Sequence, residues 1–193
     1  AAAALVELQA AGIRVHAAGA PFGVAGRRYG IGTLFVQRVD IGSPEASETL
    51  ARATARHGAE LVAVDDGFVD EAGISLGSNQ MRALPDGRVM LLWDAPVSSL
   101  SAGWARWVLE QRYGQRVTAV RTGSLGRADL APFRVIVMPD GNPAAALDAN
   151  AVARLRRWIQ DGGTLITMGE STRWATREEV GLLATRAELR AGS

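Results

Sequence analysis

The sequence predicts an α/β protein whose main part is a three-layer arrangement, a mostly parallel sheet with helices on both faces. Three observations carry the prediction. From residue 89 onward, short apolar runs alternate with longer amphipathic stretches, the order expected when helices cross between parallel strands. In the stretch 149–161, Val152, Leu155 and Ile159 fall on one helical face while Arg154, Arg156 and Arg157 point elsewhere, as in a helix laid on a sheet. A chain of 193 residues can also bury a sizeable core as one domain, or as one domain with a packed extension.

In chain order, residues 1–11 read as a helix stopped by Gly12, and 13–17 as a short strand. The glycine-rich segment 19–32, with Pro21, is a loop or an irregular hairpin, and 33–36 resumes as a strand. A second helix opens with Ser43 as cap and Pro44 at its first position, runs to about His57 and is stopped by Gly58. Residues 61–64 read as a buried strand, and 65–87, with scattered Gly, Asp and Asn, as a connector. Beyond it come strand 89–93, helix 102–112, strands 117–120 and 134–138, helix 149–161, strand 164–168 and helix 172–189. The division is therefore 1–85, a linking α/β segment expected to pack on the main domain, and 86–193, the main α/β domain.

Composition excludes several classes. Lys plus Arg is 21 against 20 for Asp plus Glu, and the resulting net charge of +1, carried by scattered arginines, offers no field for nucleic acid. Cysteine is absent, which removes disulfides, thiolate metal sites and a thiol nucleophile together. No uninterrupted apolar run approaches the roughly 20 residues that cross a bilayer, so no membrane insertion is expected. The chain starts inside a helical pattern with no capping residue ahead of it, which suggests a fragment of a longer protein.

Few residues offer chemistry. His57-Gly-Ala-Glu60 has the H-x-x-E spacing of two zinc ligands, but a catalytic zinc needs three protein ligands and no histidine follows His57. A solvated helix end is the expected state, with no metal ligand in this chain. His16, in a short apolar strand, is expected to be a core or edge histidine bonded to backbone. Trp104 and Trp107, one helical turn apart, are expected in the core. Asp94, Asp140 and Glu170 all follow strand ends, and parallel strands would bring them to one sheet edge as an acidic crevice for a cation or an amine. The alternative is that Asp94-Ala-Pro96 and Asp140-Gly-Asn-Pro143 are ordinary turns. Ser171 and Thr172 are hydroxyls at a helix start, where capping explains them more simply than nucleophilic catalysis.

Several phrases resemble a known family. Gly12-Ile-Arg-Val-His-Ala17, Tyr29-Gly-Ile-Gly-Thr-Leu-Phe-Val36, Gly103-Trp-Ala-Arg-Trp-Val-Leu-Glu110 and the segment 133–141 look like the C-terminal part of large zinc carboxypeptidases of the carboxypeptidase A type. There a linking segment leads into a class I glutamine amidotransferase-like module. The resemblance implies a flavodoxin-like sheet and a nucleophile elbow after strand 164–168, where an active relative has cysteine and this chain has Gly169 or Glu170, depending on a one-residue shift. It also implies a parent that cleaves C-terminal residues with zinc, often outside the cytoplasm in the periplasm or the extracellular space, the zinc site lying outside this stretch. The expected role is then that of a non-catalytic accessory domain, packing on its own peptidase domain or mediating homo-oligomer assembly. The competing reading is a small-molecule-binding or residual hydrolase module that uses the strand-end residues Asp94, Asp140, Gly169, Glu170 and Ser171.

Overall fold

The computed structural model describes residues 1–65, 67 and 73–185, in two compact units, Ala1–Asp86 and Gly87–Ser193. In the first, α1 (Ala2–Ala10) ends as Gly12 takes a φ of 76°. The strands β1 (Val15–Ala18), β2 (Phe22–Val24), β3 (Arg27–Tyr29) and β4 (Leu34–Phe35) follow. The glycine-rich segment is a hairpin, β2 against β3, turned by Ala25 and Gly26 with φ of 51° and 68°. Two positive φ values in a row match the strand twist of a tight hairpin. Helix α2 (Pro44–Arg56) is capped by Ser43, whose Oγ accepts from the Ala46 amide at 3.2 Å.

Two corrections fall in this unit. Residues 61–64 form no strand, and Leu61 and Val62 are exposed. A short apolar run becomes a strand only when a partner offers its ladder, and β1 is already paired on both sides, antiparallel to β4 and to β5 (Met81–Leu84). The same pairing overturns the reading of 65–87 as connector throughout. Its last part, β5, carries Met81 into a cluster with Ala18, Phe22, Val24 and Leu76, while Val15 joins Leu8, Ile13, Leu50 and Ala53 in another. Asp66 and residues 68–72 of that segment lie outside the described residues.

The second unit contains β6 (Val89–Trp93), α3 (Ser99–Trp107) continued by a π-helical turn (Val108–Arg112), β7 (Val117–Arg121), β8 (Val135–Met138), α4 (Ala149–Gln160), β9 (Thr164–Thr167) and α5 (Glu170–Ala175). The sheet order is β7-β6-β8-β9 and every pairing is parallel. This is a mixed α/β architecture with a four-stranded parallel sheet flanked by helices. The run Val89-Met-Leu-Leu92 is buried throughout because both of its faces are covered. One face places Met90, Leu92, Ile136 and Met138 against Val152, Leu155 and Trp158 of α4 and Trp174 of α5. On the other, Val89, Leu91 and Val137 meet Ala105 and Leu109 of the α3 segment.

Three expectations change here. The helix expected over 102–112 begins at Ser99, because Ser98 caps it, with Oγ accepting from the Ser101 amide at 3.3 Å. Trp104 and Trp107 are 60% and 53% exposed, not core. The sheet-facing positions are occupied by Ala102, Ala105 and Leu109, and 100° per residue carries both tryptophans to the opposite side. The helix expected over 172–189 is only Glu170–Ala175. Past it the chain reverses, with the Leu182 and Leu183 amides donating to Ala175 O and Arg156 Nη2 holding Val180 O at 2.7 Å. Residues 186–189 lie outside the described residues, among which no helix is long and apolar enough to cross a membrane.

Candidate functional site

Four parallel strands bring their carboxyl ends to one edge. Chain order places β7 on one side of β6 and β8 on the other, so the ends of β6 and β8 flank a topological switch point, the usual ligand crevice of such sheets. Here the two loops close on each other. Val97 and Gly141 form an antiparallel bridge, the Ser98 amide donates to Asp140 O at 2.6 Å, and the Asn142 amide donates to Pro96 O at 3.3 Å. Gly141 has a φ of 151°, and a Cβ there would stand 2.5 Å from Pro96 O, so only glycine permits this approach.

The turn from β9 into α5 has the backbone form of a nucleophile elbow, a sharp strand-to-helix corner. Its corner residue is Gly169, with φ 53° and ψ −126°, which selects Gly169 over Glu170. No side chain projects there. The next amide, which would stabilise an oxyanion in an active elbow, is already bound: Glu170 N–H donates to Asp140 Oδ1 at 2.7 Å. A Cβ on Gly169 would lie 2.3 Å from that same oxygen. Asp140 therefore occupies both the space for a nucleophile and the donor for its intermediate.

The remaining strand-end residues are each engaged separately. Asp94 has a φ of 75°, its Oδ1 accepts from the Ala95 amide at 2.8 Å, and Arg121 Nε stands 3.9 Å from Oδ2. Beneath it, fully buried Thr122 donates to the carbonyls of Trp93 and Asp94 at 3.3 and 3.2 Å. Glu170 pairs with Arg173 at 3.3 Å. Ser171 is fully buried, and its Oγ donates to Pro139 O at 2.5 Å, with Gly141 O at 3.3 Å. Its hydroxyl ties the β8 loop to α5. Among the described residues, no group of three carboxylates or imidazoles gathers to hold a metal ion.

The H-x-x-E pair takes two different partners. His57 Nε2 lies 3.0 Å from Glu7 Oε2, whereas Glu60 forms a two-pronged pair with Arg27, 2.7 Å from Nη2 to Oε2. That hydrogen bond, and then the charge of Arg27, hold the Glu60 carboxyl below its usual range. A depressed folded-state pKa contributes stability above the unfolded value and loses it as pH falls through the folded one. Arg27→Ala is thus expected to move the Glu60 titration upward, followed by carboxyl NMR, with wild type and variant converging in stability at acid pH. An unmoved Glu60 titration would contradict the pairing.

His16 is buried in β1, 6.3 Å from the Phe35 ring, but the expected backbone partner is absent: among the described residues its Nδ1 has none. The strand presents neighbouring carbonyls to the ladder rather than to side chains. Sequence reasoning missed the part played by Asp140 as an acceptor for the elbow amide, and the nearest signal was the pairing of Asp140-Gly141 with Gly169 at two successive strand ends. No protein-family model, no curated protein and no solved structure matches the chain.

Proposed function

We propose that this chain is a non-catalytic interaction module, an amidotransferase-like, flavodoxin-like domain with a linking segment, from the C-terminal part of a zinc carboxypeptidase-like protein. The observation that carries the non-catalytic reading is the corner at Gly169, which has no nucleophile and whose neighbouring amide is taken by Asp140 Oδ1. The buried, doubly engaged Ser171 supports it, since a hydroxyl that spans two carbonyls is a brace. The family assignment rests on the phrases around Gly103–Glu110 and 133–141. In that setting zinc belongs to the parent's peptidase domain, which is the natural partner of this module, and the parent is exported.

The test is direct. The purified chain is offered zinc in a calorimeter, and separately glutamine and peptides with free C-termini. The expected result is no stoichiometric zinc and no hydrolysis above buffer. One zinc per chain lost in His57→Ala, or hydrolysis lost in Ser171→Ala or Glu170→Gln, would overturn the reading. The upstream coding sequence tests the family: it should carry H-x-x-E followed by a third histidine.

A further inference from the structure

Helix α3 is apolar on two opposite sides. Ala102, Ala105 and Leu109 face its own sheet, while Leu100, Trp104 and Trp107 form an outward stripe at i, i+4 and i+7, with Leu100 71% exposed. The two indoles meet edge to face at 5.7 Å, which fixes the stripe's shape. A helix with apolar residues on both sides is normally buried between two layers. Among the described residues no second layer covers this stripe.

Beside α3 the described residues leave part of the sheet uncovered at Ile166. The helix packs on β6, and the neighbouring strands β8 and β9 form the floor of a groove of about 600 Å³, with Val137, Ile166 and Met168 below and Leu100, Trp104 and Val108 along the wall. Ile166 on this floor is 44% exposed. Four strands spaced by about 4.8 Å span roughly 19 Å, room for two helices side by side, and α3 supplies one. The groove is one helix wide. Ridge and groove are thus the same size and lie next to each other on one face.

We propose that this face binds a second copy of the chain, each α3 entering the groove of the other. A two-fold axis makes the arrangement self-complementary: the outer stripe of one α3 covers the floor at Ile166 and Met168 of the other sheet, and the converse. The two helices then form one shared layer between two sheets, which accounts for the second apolar stripe. Charge permits it: Arg106 and Glu110 on α3 are paired with each other at 2.9 Å, and the groove lining is apolar apart from Ser98, Ser101 and Asp140. The face measures about 21 Å by about 19 Å, and a ridge about 10 Å high adds a further ~200 Å², which brings each side to about 600 Å², the lower end of the range for a specific interface. The proposal gives the interaction reading above a surface and a partner, and it rests on that reading, but it fails by a different measurement: sedimentation rather than hydrolysis or zinc binding.

Sedimentation of the whole chain across roughly 1–100 μM is expected to show a reversible dimer, and Trp104→Glu and Ile166→Glu are each expected to raise its dissociation constant by more than about tenfold. Leu100→Lys, at the most exposed of these positions, does the same without touching the core. Because the chain has no cysteine, a thiol at Leu100 in one copy and at Ile166 in another gives a second readout, a covalent dimer with a short bismaleimide in the mixture. A chain that stays monomeric throughout, or a dimer that persists unchanged in all three charge variants, overturns the proposal.

Discussion

Gly169→Ala is expected to destabilise the Gly87–Ser193 unit by about 2–4 kcal/mol, from a strained positive φ and a lost charge-assisted hydrogen bond. The residue has φ 53° and ψ −126°, and the added methyl would stand 2.3 Å from Asp140 Oδ1 and 3.2 Å from Asp140 Cβ. Either the carboxylate leaves the Glu170 amide or the corner opens. All five tryptophans lie in this unit, so urea unfolding followed by tryptophan fluorescence reports on it without interference from the other. The cause can be separated from backbone strain by a double-mutant cycle with Asp140→Ala. If the clash matters, Gly169→Ala costs less in the Asp140→Ala background, with a coupling of about 1 kcal/mol or more. Strict additivity would show that the carboxylate is not what excludes a side chain at the corner. Gly169→Cys, which places a thiol at the corner, is expected to be at least as unstable as Gly169→Ala and to hydrolyse nothing.

Ser171→Ala is expected to cost about 1–3 kcal/mol, the penalty for leaving buried acceptors unpaired. Ser171 is fully buried, with Oγ 2.5 Å from Pro139 O and 3.3 Å from Gly141 O, and removing the hydroxyl takes this donor from the buried Pro139 contact. The effect should appear as a lower urea midpoint with an unchanged slope, because the native surface is otherwise the same. Ser171→Ala within about 0.5 kcal/mol of wild type would mean that the brace contributes nothing and would reopen another role for the hydroxyl.

Much of the second unit was legible in the sequence because its signals are local. The run Val89–Trp93 is apolar at every position, as a doubly covered strand must be, and the pattern of Val152, Leu155 and Ile159 against the arginines marks α4 without reference to anything else. The cap at Ser43 was equally local: its side chain accepts an amide three residues on. The first unit was less legible. Its strands are two to four residues long, and whether 61–64 or 81–84 joins β1 depends on which segment reaches the ladder, a competition that composition does not record.

Helix α3 shows the limit most clearly. Its sequence contains two apolar stripes, and periodicity alone cannot say which one faces the sheet. The short side chains of Ala102 and Ala105 let the helix approach the strands closely, which leaves Trp104 and Trp107 outside.

By itself, then, the sequence determined the α/β class, the positions of most helices and strands of the second unit, and the lack of a thiol, because propensity, periodicity and residue identity are properties of neighbours in the chain. Only the tertiary structure decided that the sharp corner between β9 and α5 is Gly169, that Asp140 occupies the Glu170 amide, that Val97 and Gly141 bridge the ends of β6 and β8, and that α3 presents exposed tryptophans beside the exposed Ile166 of the sheet. Each of these depends on residues about 30 or more positions apart meeting across the sheet's end or face, and such distances are set by strand order and packing rather than by local pattern.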